Sequence, residues 1–175
     1  MNRRYALMTL SGAMATPLLV ALPRLAVAET TKLPTLDRSQ YKTQTLMIGT
    51  LSKQTSMLAA ERSRNPKVKQ FASFEIAEQN TMAQVIEDEN NPQPAALDPE
   101  HAAILTRLQG EQDKGFDMAY VQEQLTAHAE LLSAQQSFLN NRPSDDDYRH
   151  IAMMARTTIQ MHIAILHDLQ ATLAT

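Results

Sequence analysis

The sequence of 175 residues contains no cysteine and no tryptophan, and aromatic residues make up only 5% of it. Without cysteine the chain can form no disulfide bond, can carry no lipid on a cysteine and can offer no thiolate to a metal ion. A metal site, if the chain has one, must use histidine, carboxylate or methionine side chains.

Glycine is also scarce, with four residues in the whole chain. The sequence contains no glycine-rich phosphate loop, no nucleophile elbow and no pattern of an activated serine. These absences favour a protein that is not an enzyme. Runs of β-branched residues are few, whereas alanine, leucine, glutamine, glutamate and methionine are abundant. This composition predicts an all-α fold.

Dense positive charge is the third absence. The chain carries 16 lysines and arginines against 19 acidic residues, for a net charge of −3. Residues 1–28 contain three arginines and no acid, so their removal takes the net charge from −3 to −6. The densest basic patch, between Arg62 and Lys69, is interpreted as a solvated helix end. We therefore expect no nucleic-acid partner and no strong membrane interaction after signal cleavage, while a homo-oligomer stays open.

Residues 1–28 have the pattern of a secretory signal peptide. Arg3 and Arg4 give a basic start, an apolar stretch follows, and Ala26–Ala28 forms a small-residue cleavage site. Polar residues and proline interrupt the apolar stretch, which makes it a poor membrane span. We predict cleavage after Ala28 and a periplasmic location, with a retained membrane anchor as the alternative. The arginine pair resembles a degenerate twin-arginine signal, so the Sec and twin-arginine routes both stay open.

The 147 residues that remain (175 minus 28) suit one domain with a substantial core. We predict a flexible leader over 29–37 and a single helical domain over 38–175. Capping residues and first-turn prolines mark the helix starts after Asn65 and Asp98, and Ser144 is the expected N-cap of the last helix. The predicted helices run over 38–63, 66–89, 100–109, 116–140 and 144–174.

Four of these helices are long, and the third one is short and lies in a long connection. Long helices joined in two antiparallel pairs by such a crossover are typical of ferritin-like proteins. The sequence therefore predicts an all-α, ferritin-like up-down four-helix bundle with a short extra helix in the crossover.

Polar residues interrupt the apolar faces of the long helices. At about 100° per residue, Glu75 and Gln79 lie in the middle of the apolar face of the second helix, and His128 and His162 do so on later helices. Distances along the helix axes place these side chains at a similar depth, beside Ser52 of the first helix. The predicted buried polar layer consists of Glu75, Glu78, Gln79, Asp117, Tyr120, Gln124, His128 and His162.

Three interpretations of this layer stay open. It is a hydrogen-bonded network that fixes the helix register, or a metal site, or a site of acid–base or small-ligand chemistry. In the metal hypothesis, Glu75, His128 and His162 bind a single transition-metal ion, either Cu, Fe or Zn. A di-iron site is not expected, because the second helix has Glu75-x-x-Glu78 instead of Glu-x-x-His and the first helix offers Ser52 instead of a carboxylate.

Several short motifs together resemble a known family. They are Val68-x-x-Phe71-Ala72 and Glu78-Gln79 on the second helix, Phe116-Asp117-x-x-Tyr120 and His128 on the fourth, and His162 on the last. In this order they resemble the exported bacterial family called domain of unknown function 4142, over nearly all of the chain after the signal. The sequence departs from the family pattern in two places: Gln79 stands where histidine is usual on the second helix, and Ser52 and Gln54 of the first helix lie near a position that is commonly acidic.

The resemblance implies an exported protein with a ferritin-like helical bundle, often described as a membrane or outer-membrane protein and sometimes linked to stress. It implies no established enzyme activity. We therefore expect a non-catalytic binding role or a stress-related accessory role. The alternative is a mononuclear metal-binding bundle, redox-active or not, that uses Glu75, His128 and His162.

Overall fold

The computed structural model describes residues 35–88 and 91–175, with the backbone alone at positions 113 and 114. These residues form five α-helices and no β-strand, which confirms the predicted all-helical fold. The helices are α1 (Arg38–Arg62), α2 (Pro66–Glu87), α3 (Pro99–Gly110), α4 (Asp113–Asn140) and α5 (Asp146–Leu173). The predicted signal peptide, residues 1–28, lies outside the described residues.

The end of the predicted leader is held against the bundle. Leu36 is buried, its backbone N–H donates to the carbonyl of Ser137 at 3.3 Å, and its carbonyl accepts from the Asn141 side chain at 3.1 Å. Asp37 then caps α1 in a capping box with Gln40. Leu36 and Asp37 are therefore fixed parts of the fold, although the flexible leader was predicted to include them.

The last helix does not begin at the residue that the sequence favoured. The side chain of Asp145 accepts a hydrogen bond from the backbone N–H of Tyr148 at 3.2 Å, so Asp145 is the N-cap. The prediction that Ser144 is the cap is wrong. Asp146 and Asp147 follow in the first turn, where the positive end of the helix dipole favours acidic side chains.

The fourth helix begins three residues earlier than predicted, at Asp113 instead of Phe116. The turn is closed by the backbone N–H of Phe116, which donates to the carbonyl of Gln112 at 3.3 Å. Gly115 lowers the local helix propensity, but the burial of the Phe116 ring outweighs that small cost.

The long helices form a bundle in which α1 packs against α2 and α4, and α4 packs against α5. Three apolar clusters follow one another along its length. They include Val68 and Leu166 at one end, Ile48 and Ile159 in the middle, and Tyr41 and Phe138 at the other end. None of the helices in the described part of the chain has the length and hydropathy that a membrane crossing requires.

The short helix α3 is tied to α4 through His101. Its Nδ1 lies 2.7 Å from Asp98 Oδ1, and its Nε2 lies 3.1 Å from Glu130 Oε2. A doubly protonated ring can donate to both carboxylates, whereas a neutral ring can donate to only one. Burial acts to lower the pKa of His101, but the two carboxylates outweigh burial and raise that pKa above its ordinary value.

This arrangement predicts that the domain loses stability at alkaline pH. The contribution of protonated His101 is complete below the pKa of an unfolded histidine, about 6.5, and is lost as the pH rises through the higher folded-state pKa. Urea unfolding measured from pH 6 to pH 9 should therefore show a falling free energy of unfolding, and His101→Gln should reduce that fall. The matched control is His167→Gln, which changes an exposed histidine. Equal pH profiles for the parent and His101→Gln would contradict the prediction.

Candidate metal centre

Three side chains from three helices meet at the centre of the bundle. Glu75 comes from α2, His128 from α4 and His162 from α5, and their exposed fractions are 0%, 1% and 7%. Glu75 Oε2 lies 3.4 Å from His128 Nε2 and 3.2 Å from His162 Nδ1. The two ring nitrogens are 3.2 Å apart. The three atoms therefore form a nearly equilateral triangle with sides of 3.2–3.4 Å.

This triangle has the size of one face of a tetrahedral metal site. Metal–nitrogen and metal–oxygen bonds of about 2.0–2.1 Å at tetrahedral angles place the ligand atoms about 3.3–3.4 Å apart. An ion above the triangle could therefore reach all three atoms without a large movement of the helices. The set of two imidazoles and one carboxylate is one that proteins use for zinc and for non-haem iron.

Both imidazoles are oriented so that a lone pair can face the triangle. His128 Nδ1 is 2.8 Å from the backbone carbonyl of Gln124, to which it can only donate, so in the neutral ring Nε2 carries the lone pair. His162 Nε2 lies 3.4 Å from Glu78 Oε2, which favours a proton on Nε2 and a lone pair on Nδ1. Metal-binding histidines commonly have such a partner on the ring nitrogen that does not bind the ion.

The Glu75 carboxylate has fewer hydrogen-bond donors than its burial requires. Its Oε1 accepts from Gln79 Nε2 at 2.8 Å and from Ser52 Oγ at 2.6 Å. Ser52 Oγ also lies 2.7 Å from Gln124 Oε1. The single hydroxyl hydrogen of Ser52 is therefore shared between two acceptors, Glu75 and Gln124. Among the described residues, Glu75 Oε2 has no hydrogen-bond partner. A buried oxygen of this kind calls for a cation or a proton.

The electrostatics keep Glu75 charged despite its burial. Burial acts to raise the pKa of the Glu75 carboxyl, but contacts with His128, His162 and Ser52 hold that pKa well below its usual range. Burial likewise acts to lower the pKa of His162, and the Glu75 carboxylate outweighs it and raises that pKa. The centre therefore favours the charged carboxylate, whose negative charge a protonated histidine or a metal ion can balance.

One side of the centre borders a surface groove. The Phe71 ring packs edge-on against His162, with ring centroids 5.3 Å apart, and also lies near His128. A groove of about 300 Å³ between α2 and α5 is lined in part by Phe71, Phe74, His162 and Ile165. Of the three side chains, His162 is the one that borders this groove.

The predicted polar layer is only partly one network. Glu75, Gln79, Gln124, Tyr120, His128 and His162 are all buried. The Gln124 side chain donates to Thr55, and the Tyr120 hydroxyl is paired with Ser56 at 2.8 Å. Glu78 is half-buried at the edge of the layer. Asp117 is also half-buried, and its Oδ1 has no hydrogen-bond partner in the described part of the chain.

A second buried polar group lies towards the other end of the bundle. The Tyr41 hydroxyl donates to Gln135 Oε1 at 2.6 Å, and Gln135 Nε2 donates to Thr45 at 3.3 Å. The layer predicted from the sequence contains neither this group nor Ser56. Hydroxyl residues at helical spacing on the inward side of α1, at 45, 52 and 56, were the available signal.

Comparison with known proteins adds one finding. The family model described as Domain of unknown function (DUF4142) matches residues 22–169, which is most of the chain. No curated protein and no solved structure matches this chain. The resemblance drawn from the sequence motifs is therefore confirmed, and the match brings no assigned ligand or activity.

The hydrogen bonds of Glu75 predict how two substitutions differ in stability. Glu75→Ala removes the acceptor of Ser52 and Gln79 and should cost about 1–3 kcal/mol. Glu75→Gln keeps an acceptor for these donors and offers an N–H to the histidines, so it should cost less than about 1 kcal/mol. Urea unfolding at pH 8.5 with a chelator measures both. Glu61→Ala is the control, since Glu61 is an exposed glutamate. Equally large losses for both Glu75 variants would contradict the prediction.

Proposed function

The chain belongs to the family described as Domain of unknown function (DUF4142), and because that description assigns no activity, we propose from the site's geometry that the protein binds one transition-metal ion. The ligand atoms are Glu75 Oε2, His128 Nε2 and His162 Nδ1. The role is binding of the ion in the interior of the bundle. A position that the three side chains leave open on the ion would take water or a small molecule.

One observation carries this proposal. Glu75 Oε2 is buried, has no hydrogen-bond partner among the described residues, and lies 3.2–3.4 Å from two ring nitrogens. When both rings are neutral with their lone pairs directed inward, three electron-rich atoms face one another, which is unfavourable without a cation between them. A metal ion removes that conflict and satisfies all three atoms at once.

The ligand atoms favour zinc, iron(II) or copper(II) over copper(I). Two imidazole nitrogens and one carboxylate oxygen suit these borderline ions, whereas copper(I) prefers thiolate and thioether ligands. Met153, Met154 and Met161 lie on the same helix as His162, but their side chains are exposed. Because they are outside the core, they do not contribute sulfur to this centre.

A buried structural network is the second candidate function of the layer. The pKa of His162 is raised by Glu75 although burial opposes this, so a proton on His162 Nδ1 can occupy the space between the two side chains. Such an ion pair would hold α2 against α5 without any metal, and removal of either partner would leave an uncompensated buried charge. Metal analysis separates the two candidates.

Two further proposals concern the helix arrangement and the location of the protein. We propose a ferritin-like four-helix arrangement, which is supported by four long helices and by the short α3 in the crossover. We further propose export to the periplasm, which is supported by the basic start, apolar stretch and Ala26–Ala28 site of the sequence. A periplasmic metal-binding bundle would have a binding or stress-related accessory role.

The metal hypothesis predicts one ion per chain. Untagged protein is loaded with zinc, iron(II) or copper(II), freed of excess ion and analysed by mass spectrometry for metal content. The parent should retain one equivalent of at least one of these ions, and the His128→Ala, His162→Ala double variant should retain none. His167→Ala is the matched control, because it removes an exposed histidine from the same helix. Sub-stoichiometric metal in the parent, or full retention in the double variant, would overturn the proposal.

The partner of His162 supplies a finer test of the same site. Glu78→Gln removes the negative charge 3.4 Å from His162 Nε2 while it keeps the shape of the side chain. Loss of such a partner typically weakens metal binding about 10–100-fold. Competition titration with a chromophoric chelator should show this loss with unchanged stoichiometry. Unchanged affinity would show that Glu78 does not orient the ring.

A further inference from the structure

A polar cavity lies on the opposite side of Gln79 from the Glu75 carboxylate. It has a volume of about 270 Å³ and is enclosed by α1, α2 and the crossover residues 91–95. The residues that define its chemistry are Thr50, Lys53, Gln79, Asn80 and Gln93. At roughly 30 Å³ for each water-sized group, the cavity has room for about nine non-hydrogen atoms.

Among the residues that the structure describes, the charged side chain in the lining of this cavity is that of a lysine. The chain carries 19 acidic residues, and none of those that lie within residues 35–88 and 91–175 lines the cavity. Lys53 is the cationic residue of the lining, is half-buried, and forms no ion pair within the described ranges 35–88 and 91–175. The ammonium group of Lys53 is therefore available to pair with an anion from outside the chain.

The crossover forms a fixed wall of the cavity. The backbone N–H of Ala95 donates to the Thr50 hydroxyl at 3.1 Å, which ties the segment to α1. Pro92 and Pro94 restrict the backbone of this segment. The segment therefore presents Gln93 at a defined place without relying on a helix or strand. A pre-formed wall lowers the entropic cost of binding a small molecule.

The cavity is separate from the candidate metal centre. Gln79 Nε2 donates to Glu75 on one side, while Gln79 Oε1 lies 2.4 Å from the place where a Cβ on residue 49 would stand. Gly49 is thus required for this position of the Gln79 amide, which forms the shared wall. Binding in the cavity needs no ion at Glu75, so it can be tested in metal-free protein.

We propose that this cavity binds a small carboxylate anion. One carboxylate of the ligand pairs with Lys53 Nζ, and the amides of Asn80 and Gln93 donate and accept hydrogen bonds to the rest of the molecule. The second carboxylate of a dicarboxylate accepts hydrogen bonds from these amide N–H groups. Phosphate groups are often held by arginine forks or a helix N-terminus, and no arginine is among the described residues that line the cavity. Dicarboxylates of four or five carbons match the available volume.

Calorimetric titration of metal-free protein tests this proposal. The probes are succinate, its neutral analogue succinamide, and inorganic phosphate, each at millimolar concentration. We expect saturable binding of succinate, and Lys53→Gln should weaken it by at least about tenfold, since a hydrogen bond to a charged group is worth that much. Lys69→Gln, at an exposed lysine of α2, is the matched control and should bind succinate as the parent does.

Amide chemical shifts locate the bound anion. Succinate should shift the backbone N–H signals of Thr50 and Ala95, and these shifts should be lost in Lys53→Gln. Three results would overturn the proposal: no saturable binding of succinate, equal binding of succinamide, or equal binding by Lys53→Gln. Binding of phosphate without binding of succinate would also overturn it, because it would assign a different anion class to the cavity.

Discussion

The burial of the Glu75 carboxylate is the constraint on which the rest of the bundle depends. Its side chain is fully buried, and an uncompensated charge at that depth costs several kcal/mol. Ser52 from α1, Gln79 from α2, His128 from α4 and His162 from α5 all approach its two oxygens. A shift of any one helix along its axis would remove one of these contacts. The carboxylate therefore links the registers of four helices.

The apolar clusters support this register from both sides. In α4, Val121 belongs to the end cluster and Leu131 to the middle cluster, and His128 lies between them. In α5, His162 likewise lies between Ile159 of the middle cluster and Leu166 of the end cluster. Hydrophobic burial thus supplies the stability, while the polar atoms between the clusters determine which alignment of the helices is acceptable.

The sequence could predict the direction of these side chains but not their partners. Helical periodicity placed Glu75, His128 and His162 on inward faces, because an angle of about 100° per residue is a local property. It could not show that Oε2 of Glu75 would be left without a donor, since that depends on how the Ser52 hydrogen is shared. His101 was missed for the same reason, because Glu130 lies 29 positions away in the sequence.

Local competition between residues explains the errors at the helix ends. Both Ser144 and Asp145 are acceptable caps, and composition alone does not decide between neighbours. The start of α4 was placed too late because a glycine usually marks a break, although Gly115 lies inside the first turn. Gln79 illustrates the converse case: its place in the layer followed from periodicity, but its role as the wall of a polar cavity depends on Gly49 in another helix.

X-ray absorption spectroscopy of the zinc-loaded protein is the most direct measurement of the central claim. The account predicts a first coordination shell of nitrogen and oxygen atoms only, at about 2.0–2.1 Å, with the outer-shell scattering of two imidazole rings. It also predicts that this imidazole signal disappears when His128 and His162 are replaced. A sulfur shell near about 2.3 Å, or a bound ion without imidazole scattering, would contradict the claim that Glu75, His128 and His162 form the metal centre.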